Sequence, residues 1–264
     1  MPSLYPDDPL DPEGDDDPLI PQSKRVAAEY ERLDNEFMRK LSIEQAMTVV
    51  ANGSRMGCAC LHTFPMDART TLSDRQVQVL LHNRTIIHAK GPICPDCMQP
   101  NTHGHDDDCS DRPHRRTVRH DSSKHLFVAA IRRIKGATAN LEPRIEAQSM
   151  RRTDWRVHGT TAAGGGGDTD YDITFISLTN ATAQRAPDRA EHLALAAREG
   201  MRVAATKRLQ AYLDAKARSK SRFYTDAVPT AFVPLVFSLE GAEHPQATTT
   251  LKQWRSLMPS FSYL

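Results

Sequence analysis

An α/β fold is predicted from two features of the chain. Beyond residue 120, an amphipathic helix pattern is followed by three short strand patterns, a long alanine-rich helix pattern and a last strand pattern. This order is typical of a sheet covered by helices. The length of 264 residues, with 39% hydrophobic residues and a mean hydropathy of -0.54, allows one sizeable core and a satellite module.

Residues 1–22 form a segment rich in Pro and Asp, with seven acids and no Lys or Arg. Such a segment has too few apolar residues to bury a core, so we predict a disordered acidic tail. The rest of the chain holds 34 basic and 26 acidic residues, which favours a polyanionic partner. No apolar run reaches the roughly 18 residues of a membrane span, and no signal peptide pattern is present, so no membrane partner is expected.

Residues 23–90 are predicted to form a helical linker module. Ser42 and Gln45 are spaced for the capping box of one helix, and Ser73 and Gln76 repeat that signal for another. A preceding helix has apolar residues at spacings of three and four along one face: Val26, Tyr30, Leu33, Phe37 and Leu41.

Residues 91–120 contain a compact set of metal-ligand side chains. Three thiols and one imidazole have the spacing of a zinc knuckle: Cys94, Cys97, His105 and Cys109. His103 is the alternative fourth ligand. His105 is favoured because seven residues separate it from Cys97 and three from Cys109, a loop that can wrap one ion. An odd total of five cysteines also points to metal binding rather than disulfides, so structural Zn²⁺ is the predicted cofactor.

The densest basic segment of the chain follows. Residues 111–152 hold eleven Lys or Arg against four Asp or Glu. A helix is predicted here from the apolar residues Leu126, Phe127, Ala130, Ile131 and Ile134. Lys124, Arg132 and Arg133 are expected on its solvent-facing side, where a phosphate backbone is a natural partner.

The remaining patterns complete the α/β domain. Alternation and β-branched residues predict strands over 140–145, 154–158, 171–178 and 231–239. Pro234 in the last of them indicates an edge strand. A helix over about 187–218 precedes that strand, and the tetraglycine at 164–167 is interpreted as a hairpin tip.

Three carboxylates lie on or beside these strands, namely Glu142, Asp154 and Asp172, and Lys207 lies on the helix that follows. Carboxylates that meet at strand ends can bind Mg²⁺, which activates water and stabilises charge on a phosphodiester. A nearby lysine can orient that water. The alternative interpretation is that these are unrelated surface residues.

Several of these segments, taken in order, carry a resemblance to a known family. The segments are CPDC, GHDDDC, RHDSSKHLF, LEPRI, RRTDW, YDITFISL, the Lys207 helix and FVPLVFSL. The chain resembles, over roughly residues 55–240, the C-terminal part of non-LTR retrotransposon reverse transcriptases that carry a restriction-like endonuclease. No single motif is specific, but their order is.

The resemblance implies a PD-(D/E)xK restriction-endonuclease-like core over 121–240, preceded by the helical module and the zinc knuckle and followed by a tail at 241–264. It implies an endonuclease that nicks target DNA so that the freed 3′ hydroxyl primes reverse transcription. Asp154 and Asp172 would bind Mg²⁺ and Glu142 would assist.

In the same resemblance, Lys207 would act on the water, with Arg208 as the alternative aligned position. Arg119 and His120, together with Lys124 on the basic helix, would contact DNA. The sequence departs from the family at Thr153, which stands in place of Pro, and in the glycine-rich insert between Asp154 and Asp172.

The length leaves no room for a polymerase domain, so a reverse transcriptase partner is expected on another chain. RNA is a further expected partner, and a DNA substrate implies the nucleus. Two alternatives are a non-catalytic, zinc-stabilised nucleic-acid-binding remnant or domesticated protein, and a zinc-dependent protein-interaction domain.

Overall fold

The computed structural model describes residues 22–62, 73–74, 93–100, 105, 109–143, 152–158, 167–180, 183, 188–225 and 230–258. Its helices, in chain order, are α1 (Gln22–Arg39), α2 (Ile43–Asn52), α3 (Arg55–His62), α4 (Pro113–Ile131), α5 (Arg189–Glu199), α6 (Met201–Thr225) and α7 (Pro245–Leu257). Its strands are β1 (Thr138–Leu141), β2 (Trp155–His158), β3 (Thr169–Ile176) and β4 (Ala231–Ser238). None of the described helices is both long and apolar enough to cross a lipid bilayer.

The chain divides into two compact units, Met1–Lys40 and Leu41–Leu264. The described part of the first unit is helix α1, in which Arg32 forms ion pairs with Glu29 and Glu36. The predicted acidic tail, apart from its last residue, lies outside the described residues. So does most of the third predicted helix of the linker, after Ser73.

The second unit is built on a mixed four-stranded sheet in the order β1-β2-β3-β4. β1, β2 and β3 form antiparallel pairs, and β4 pairs parallel to β3. Parallel pairing requires a crossover between β3 and β4, which α5 and α6 provide. The predicted element order and the α/β class are therefore confirmed, and β4, which contains Pro234, is an edge strand as predicted.

One face of the sheet carries the main apolar core. Phe127 of α4 stacks on Trp155 of β2, with 5.7 Å between the ring centroids. Trp254 of α7 meets Tyr171 of β3 edge-on at 5.1 Å. Burial of these large aromatic surfaces holds α4 and α7 against the sheet. The C-terminal segment predicted as a tail thus contains a helix whose tryptophan belongs to the core.

The opposite face of the sheet is more polar and is covered by α6. Asp170 and Asp172 share this face because side chains alternate along β3. Tyr224 of α6 packs on Phe232 of β4 at 4.5 Å between ring centroids. The second unit therefore has three layers, with α4 and α7 on one side of the sheet and α6 on the other.

Helix α2 joins this layer through a buried charge cluster. Arg208 of α6, which is 2% exposed, donates to Glu44 of α2 over 2.6 Å and to the Ala183 carbonyl over 2.6 Å. Arg189 of α5 also donates to Glu44 over 2.8 Å. The capping box predicted for α2 is confirmed, since Ser42 accepts from Gln45 and the Gln45 side chain accepts from the Ser42 backbone.

Three local predictions need correction. The predicted helix over 187–218 is two helices, because Gly200 has φ +93 and ends α5. Leu126, predicted on the apolar face of α4, is exposed, and Val128 is buried instead. Lys124, predicted to face solvent, is only 4% exposed.

Candidate functional site

The knuckle residues converge on one point. The ligand atoms of Cys94, Cys97, His105 and Cys109 all lie within 4.8 Å of one another, and this cluster could hold a metal ion. The sulfurs of Cys94 and Cys109 are 3.9 Å apart, and Cys97 Sγ is 3.1 Å from His105 Nε2. We call these four residues the cysteine cluster. His103, the alternative ligand, lies outside the described residues.

A tight turn presents the first two thiols of the cysteine cluster. The Met98 amide donates to the Cys94 carbonyl over 2.9 Å, and the Cys94 amide donates to the Gln99 carbonyl over 2.9 Å. Met98 takes the left-handed conformation, φ +56, that closes this turn. Cys109 supplies the third thiol from the segment just before α4, and Arg112, at the start of that helix, forms an ion pair with Asp96 of the turn.

The two buried thiols differ in acidity. A hydrogen bond from the Cys97 backbone, followed by bonds within the cluster, lowers the pKa of Cys94 to about 7. Burial raises the pKa of Cys109. A thiolate is the form that binds a metal, so the turn favours the ligating state of Cys94.

A second polar cluster forms where β2 and β3 lie beside α4 and α6. The Asp154 carboxylate accepts a hydrogen bond of 2.6 Å from the backbone amide of Ile173, the residue after Asp172. Burial is the largest cause that raises the pKa of Asp172, and the charge of Asp154 raises it further. The structure therefore brings these two predicted carboxylates to adjacent positions.

His120 of α4 lies against Asp154 and against Asp121 of its own helix. Its Nε2 is 3.2 Å from Asp154 Oδ2, and its Nδ1 is 3.2 Å from Asp121 Oδ1. The hydrogen bond to Asp154 is the main reason that the pKa of His120 is raised to about 9. At neutral pH the ring is thus a cation that donates to both acids.

Glu142 joins the cluster from the end of β1. It has φ +46, an uncommon conformation for a residue with a side chain, and its amide donates to the Asp154 carbonyl over 2.9 Å. Lys124 donates to its carboxylate, and Arg152 donates to the other oxygen over 3.2 Å. Burial opposes the charge of Lys124, but the bonds to Glu142 and Asp121 outweigh it, so the pKa of Lys124 is raised.

The lysine that reaches Asp172 is Lys220, not the predicted Lys207. Its Nζ lies 2.8 Å from Asp172 Oδ2, and the Tyr224 hydroxyl donates to Asp172 Oδ1 over 3.0 Å. Lys220 and Tyr224 are one turn apart on α6, so they face Asp172 together. We call Glu142, Asp154 and Asp172, with His120, Lys124, Lys220 and Tyr224, the carboxylate cluster.

Lys207 and Arg208 are not brought to this cluster. Lys207 pairs with Glu199 over 2.9 Å, and its side chain is 54% exposed. It lies thirteen residues before Lys220 on one continuous helix, which is roughly 20 Å at 1.5 Å per residue. Arg208 is buried against Glu44. Lys220 has a tyrosine four residues later, but so has Arg208, so this spacing alone does not single out Lys220.

The three residues predicted to contact DNA also have definite places. Arg119 is half-buried on α4. His120 and Lys124 point into the carboxylate cluster rather than to solvent. Of the basic residues predicted to be exposed on this helix, Arg132 and Arg133 are exposed, and both lie just after its end.

A buried acid beside the cluster fixes the local pairing of β2 and β3. Asp170 is fully buried and receives two hydrogen bonds from Arg156, at 3.1 Å and 2.8 Å, directly across the strand pair. The Thr153 hydroxyl donates to the same carboxylate over 2.8 Å. Thr153 stands next to Asp154, so this network holds the start of the segment that carries Asp154.

The fold and the two clusters define a mixed α/β protein with a four-stranded sheet, a Cys3His group that could hold a metal ion, and a polar cluster at one edge of the sheet. Among the described residues, the cysteine cluster is the one group of three or more His, Cys, Asp or Glu side chains whose ligand atoms lie close enough to share one metal ion. No model of a known protein family matches the chain. A search of curated proteins also finds no significant match.

Proposed function

We propose that this chain is a metal-dependent DNA endonuclease module with a restriction-endonuclease-like core, in which the cysteine cluster binds structural Zn²⁺ and the carboxylate cluster carries the chemistry. The observation that carries the proposal is the meeting of Asp154, Asp172 and Lys220 at one place. Two acids, one just before β2 and one within β3, and a lysine on the helix that covers them are the groups that hydrolysis of a phosphodiester requires.

Zinc fits the cysteine cluster by ligand type and by distance. Three thiols and an imidazole suit a borderline-soft ion. A Zn–S bond of about 2.3 Å in a tetrahedral site implies a sulfur–sulfur separation of roughly 3.8 Å. The 3.9 Å between Cys94 and Cys109 agrees with that separation.

Magnesium is the ion that suits the oxygen donors of Asp154 and Asp172. When bound, it would lower the pKa of a water and neutralise charge on the phosphate. Burial and mutual repulsion of the two acids, which raise the pKa of Asp172, favour such a cation.

The protein's own groups would complete the site. Lys220 would donate a hydrogen bond to the attacking water or to the scissile phosphate, because its ammonium lies 2.8 Å from the Asp172 carboxylate. Tyr224 would hold Asp172 in place through its hydroxyl. His120 would hold the Asp154 carboxylate in place through its Nε2, which lies 3.2 Å from Asp154 Oδ2.

The biological setting follows from the family resemblance. DNA would be nicked to supply a primer for a reverse transcriptase on another chain, with RNA as a further ligand, in the nucleus. A second function has a specific observation in its favour. Lys220 and His120 already neutralise Asp172 and Asp154, as expected of a zinc-stabilised nucleic-acid-binding protein without catalysis.

Nicking of supercoiled plasmid DNA by the purified chain tests the proposal. The wild type should nick with Mg²⁺ and not with EDTA, and Asp172→Asn should reduce the rate at least 100-fold, roughly the scale on which single catalytic groups act. Asp168→Asn is the matched control, because Asp168 pairs with His158 at the start of β3 and should keep full activity.

Two of the lysines on α6, Lys220 and Lys207, make a sharper comparison. Lys220→Gln should lose nicking to a similar degree, whereas Lys207→Gln, on the same helix, should not. Equal inactivity of wild type and variants in Mg²⁺ and Mn²⁺, with DNA binding retained, would favour the non-catalytic function. Equal activity of the Lys220 and Lys207 variants would remove Lys220 from the site.

A further inference from the structure

Helix α6 carries an open basic groove near its C-terminal end. A cavity of about 630 Å³ runs along its last turns, lined by Ala215, Arg218, Ser219, Arg222 and Phe223. A second cavity of about 300 Å³ lies between α6 and the start of α7, and it shares the same arginines. Arg218 and Arg222 therefore line both cavities, and the volumes of these cavities are those of ligand-binding pockets.

The two arginines are available to bind an anion. They lie four residues apart, on one face of the helix. Among the described residues, no carboxylate forms an ion pair with either guanidinium. The one acid that lines the cavities, Asp214, is paired with His244 over 3.1 Å. A guanidinium pair at this spacing suits phosphate groups, which guanidinium binds through two parallel hydrogen bonds.

An exposed aromatic ring stands at the edge of the same groove. The side chain of Phe223 is 52% exposed. Its ring meets that of Tyr224 edge-on, with 4.9 Å between centroids, so it is held in a fixed orientation. An aromatic face beside cationic groups is the arrangement that binds an unpaired base and its phosphates.

The groove is also connected to the carboxylate cluster. Phe223 packs on Tyr224, and the Tyr224 hydroxyl donates to Asp172. A base stacked on Phe223 would therefore lie within one or two nucleotides of Asp172. Duplex DNA keeps its bases stacked inside the helix, so only an unpaired nucleotide can use the face of Phe223.

We propose that this groove binds a single-stranded segment of nucleic acid, with phosphates on Arg218 and Arg222 and one unpaired base on Phe223. The inference rests on the proposed function in taking nucleic acid as the ligand, and it narrows the substrate to one with an unpaired strand beside the cleavage point.

Fluorescence anisotropy with the full chain in EDTA tests this inference, using a labelled 20-nucleotide single strand and the same sequence as a blunt duplex. Phe223→Leu keeps an apolar side chain but removes the ring, so affinity for the single strand should fall about tenfold, as expected for one stacked base. Phe223→Trp should retain wild-type affinity. Duplex affinity should not change in either variant.

Charge variants test the phosphate contacts. The double variant Arg218→Gln with Arg222→Gln should reduce the salt slope of single-strand binding by about 1.4, roughly 0.7 for each phosphate. Lys252→Gln with Arg255→Gln is the matched control, since both residues are exposed on α7 and the loss of charge is the same. It should leave the slope unchanged.

Three results would overturn the inference. They are an unchanged single-strand affinity in Phe223→Leu, an equal loss on the duplex, and a Phe223-dependent binding to phosphatidylserine vesicles with no effect on the oligonucleotide. The nicking test is independent of these outcomes, because binding in EDTA needs no catalysis. Loss of nicking in Asp172→Asn with intact groove binding, or the reverse, separates the two proposals.

Discussion

His120 shows how a single residue sets the charge of the carboxylate cluster. Both of its ring nitrogens face carboxylates, at 3.2 Å from Asp154 and 3.2 Å from Asp121. A neutral imidazole could donate to only one of them, whereas the cation donates to both. The hydrogen bond to Asp154 therefore stabilises the protonated ring and raises the pKa of His120 to about 9.

This raised pKa predicts a pH dependence of stability. An ordinary histidine has a pKa of about 6.5. Because the folded value is higher, His120 stabilises the fold fully below about pH 6.5, and this contribution is lost as pH rises through 9. We expect His120→Gln to cost on the order of 1 kcal/mol at pH 6, after solvent screening of a one-third exposed side chain, and much less above pH 9.5.

Urea unfolding at several pH values checks the stability change, and an NMR titration of the imidazole in metal-free protein checks its cause. Asp154→Asn is the control, since removing the charged acceptor should bring the pKa of His120 down toward its ordinary value. A His120 resonance that titrates near pH 6.5 in the wild type would contradict the assignment.

The choice between Lys207 and Lys220 marks the limit of prediction at this scale. Both lysines lie on α6, and the sequence shows that a lysine on the helix after β3 can approach Asp172. Which one does so depends on where the helix crosses the strand. Here Tyr224 packs on Phe232 and fixes the last turns of α6 over β3 and β4. That contact is long-range, so no local sequence pattern indicates which lysine reaches Asp172. Asp154 and Asp172, by contrast, were predictable because each lies on or beside a strand with a clear pattern.

At the scale of elements, a buried ion pair links α2 to α6. Glu44 accepts from Arg208 over 2.6 Å and from Arg189 over 2.8 Å. Burial raises the pKa of Glu44, but the two arginines outweigh burial, and the net pKa is lowered. A buried guanidinium needs this carboxylate, because a charge without a partner is costly in an apolar interior.

Glu44→Gln should therefore destabilise the protein by about 3 kcal/mol, the range seen when one partner of a buried ion pair is removed. The amide keeps the shape of the side chain, so the loss reports the charge rather than a cavity. Chemical unfolding followed by circular dichroism gives the measurement. Glu199→Gln removes the partner of the exposed Lys207 and should leave the midpoint unchanged. A destabilisation below about 1 kcal/mol for Glu44→Gln would show that water hydrates the ion pair between Glu44 and Arg208.

The elements themselves were largely predictable, and their partners were not. The capping box at Ser42 and the glycine-bounded helices are local signals, so α2 could be identified from sequence alone. The pairing of Glu44 with Arg208 spans 164 positions, and nothing near either residue indicates it. Helix α7 was missed because its threonines and polar residues hide the few apolar positions, of which Trp254 is the main one.

At the scale of the whole molecule, the cysteine cluster and the carboxylate cluster are joined by one helix. Cys109 lies just before α4, and Arg112, at the start of that helix, pairs with Asp96 of the turn between Cys94 and Cys97. Along the same helix, His120 and Lys124 reach the carboxylates. A metal ion in the cysteine cluster would therefore hold the end of α4 that aims these two side chains.

Loss of the metal should therefore destabilise the start of α4 as well as the knuckle. Binding of zinc to a small module supplies much of its folding free energy. The N-terminal end of α4 lacks a side-chain cap, since Arg112 at the cap position makes no capping hydrogen bond. Without the metal, the first turns of α4 should open more often, and the network around Asp154 should loosen with them.

Cys109→Ser tests this coupling against Cys58→Ser. Cys58 donates to the Asn52 carbonyl over 3.2 Å and is not part of the cysteine cluster. Mass spectrometry of native protein should find one zinc per chain in the wild type and in Cys58→Ser, and none in Cys109→Ser. Hydrogen exchange should show faster exchange in the first turns of α4 of Cys109→Ser. Protection in β3, which pairs with strands on both sides, should persist.

Full zinc content in Cys109→Ser would refute the ligand assignment. Zinc loss without faster exchange in α4 would instead show that the helix is held by its packing against the sheet, so that the metal serves the knuckle alone.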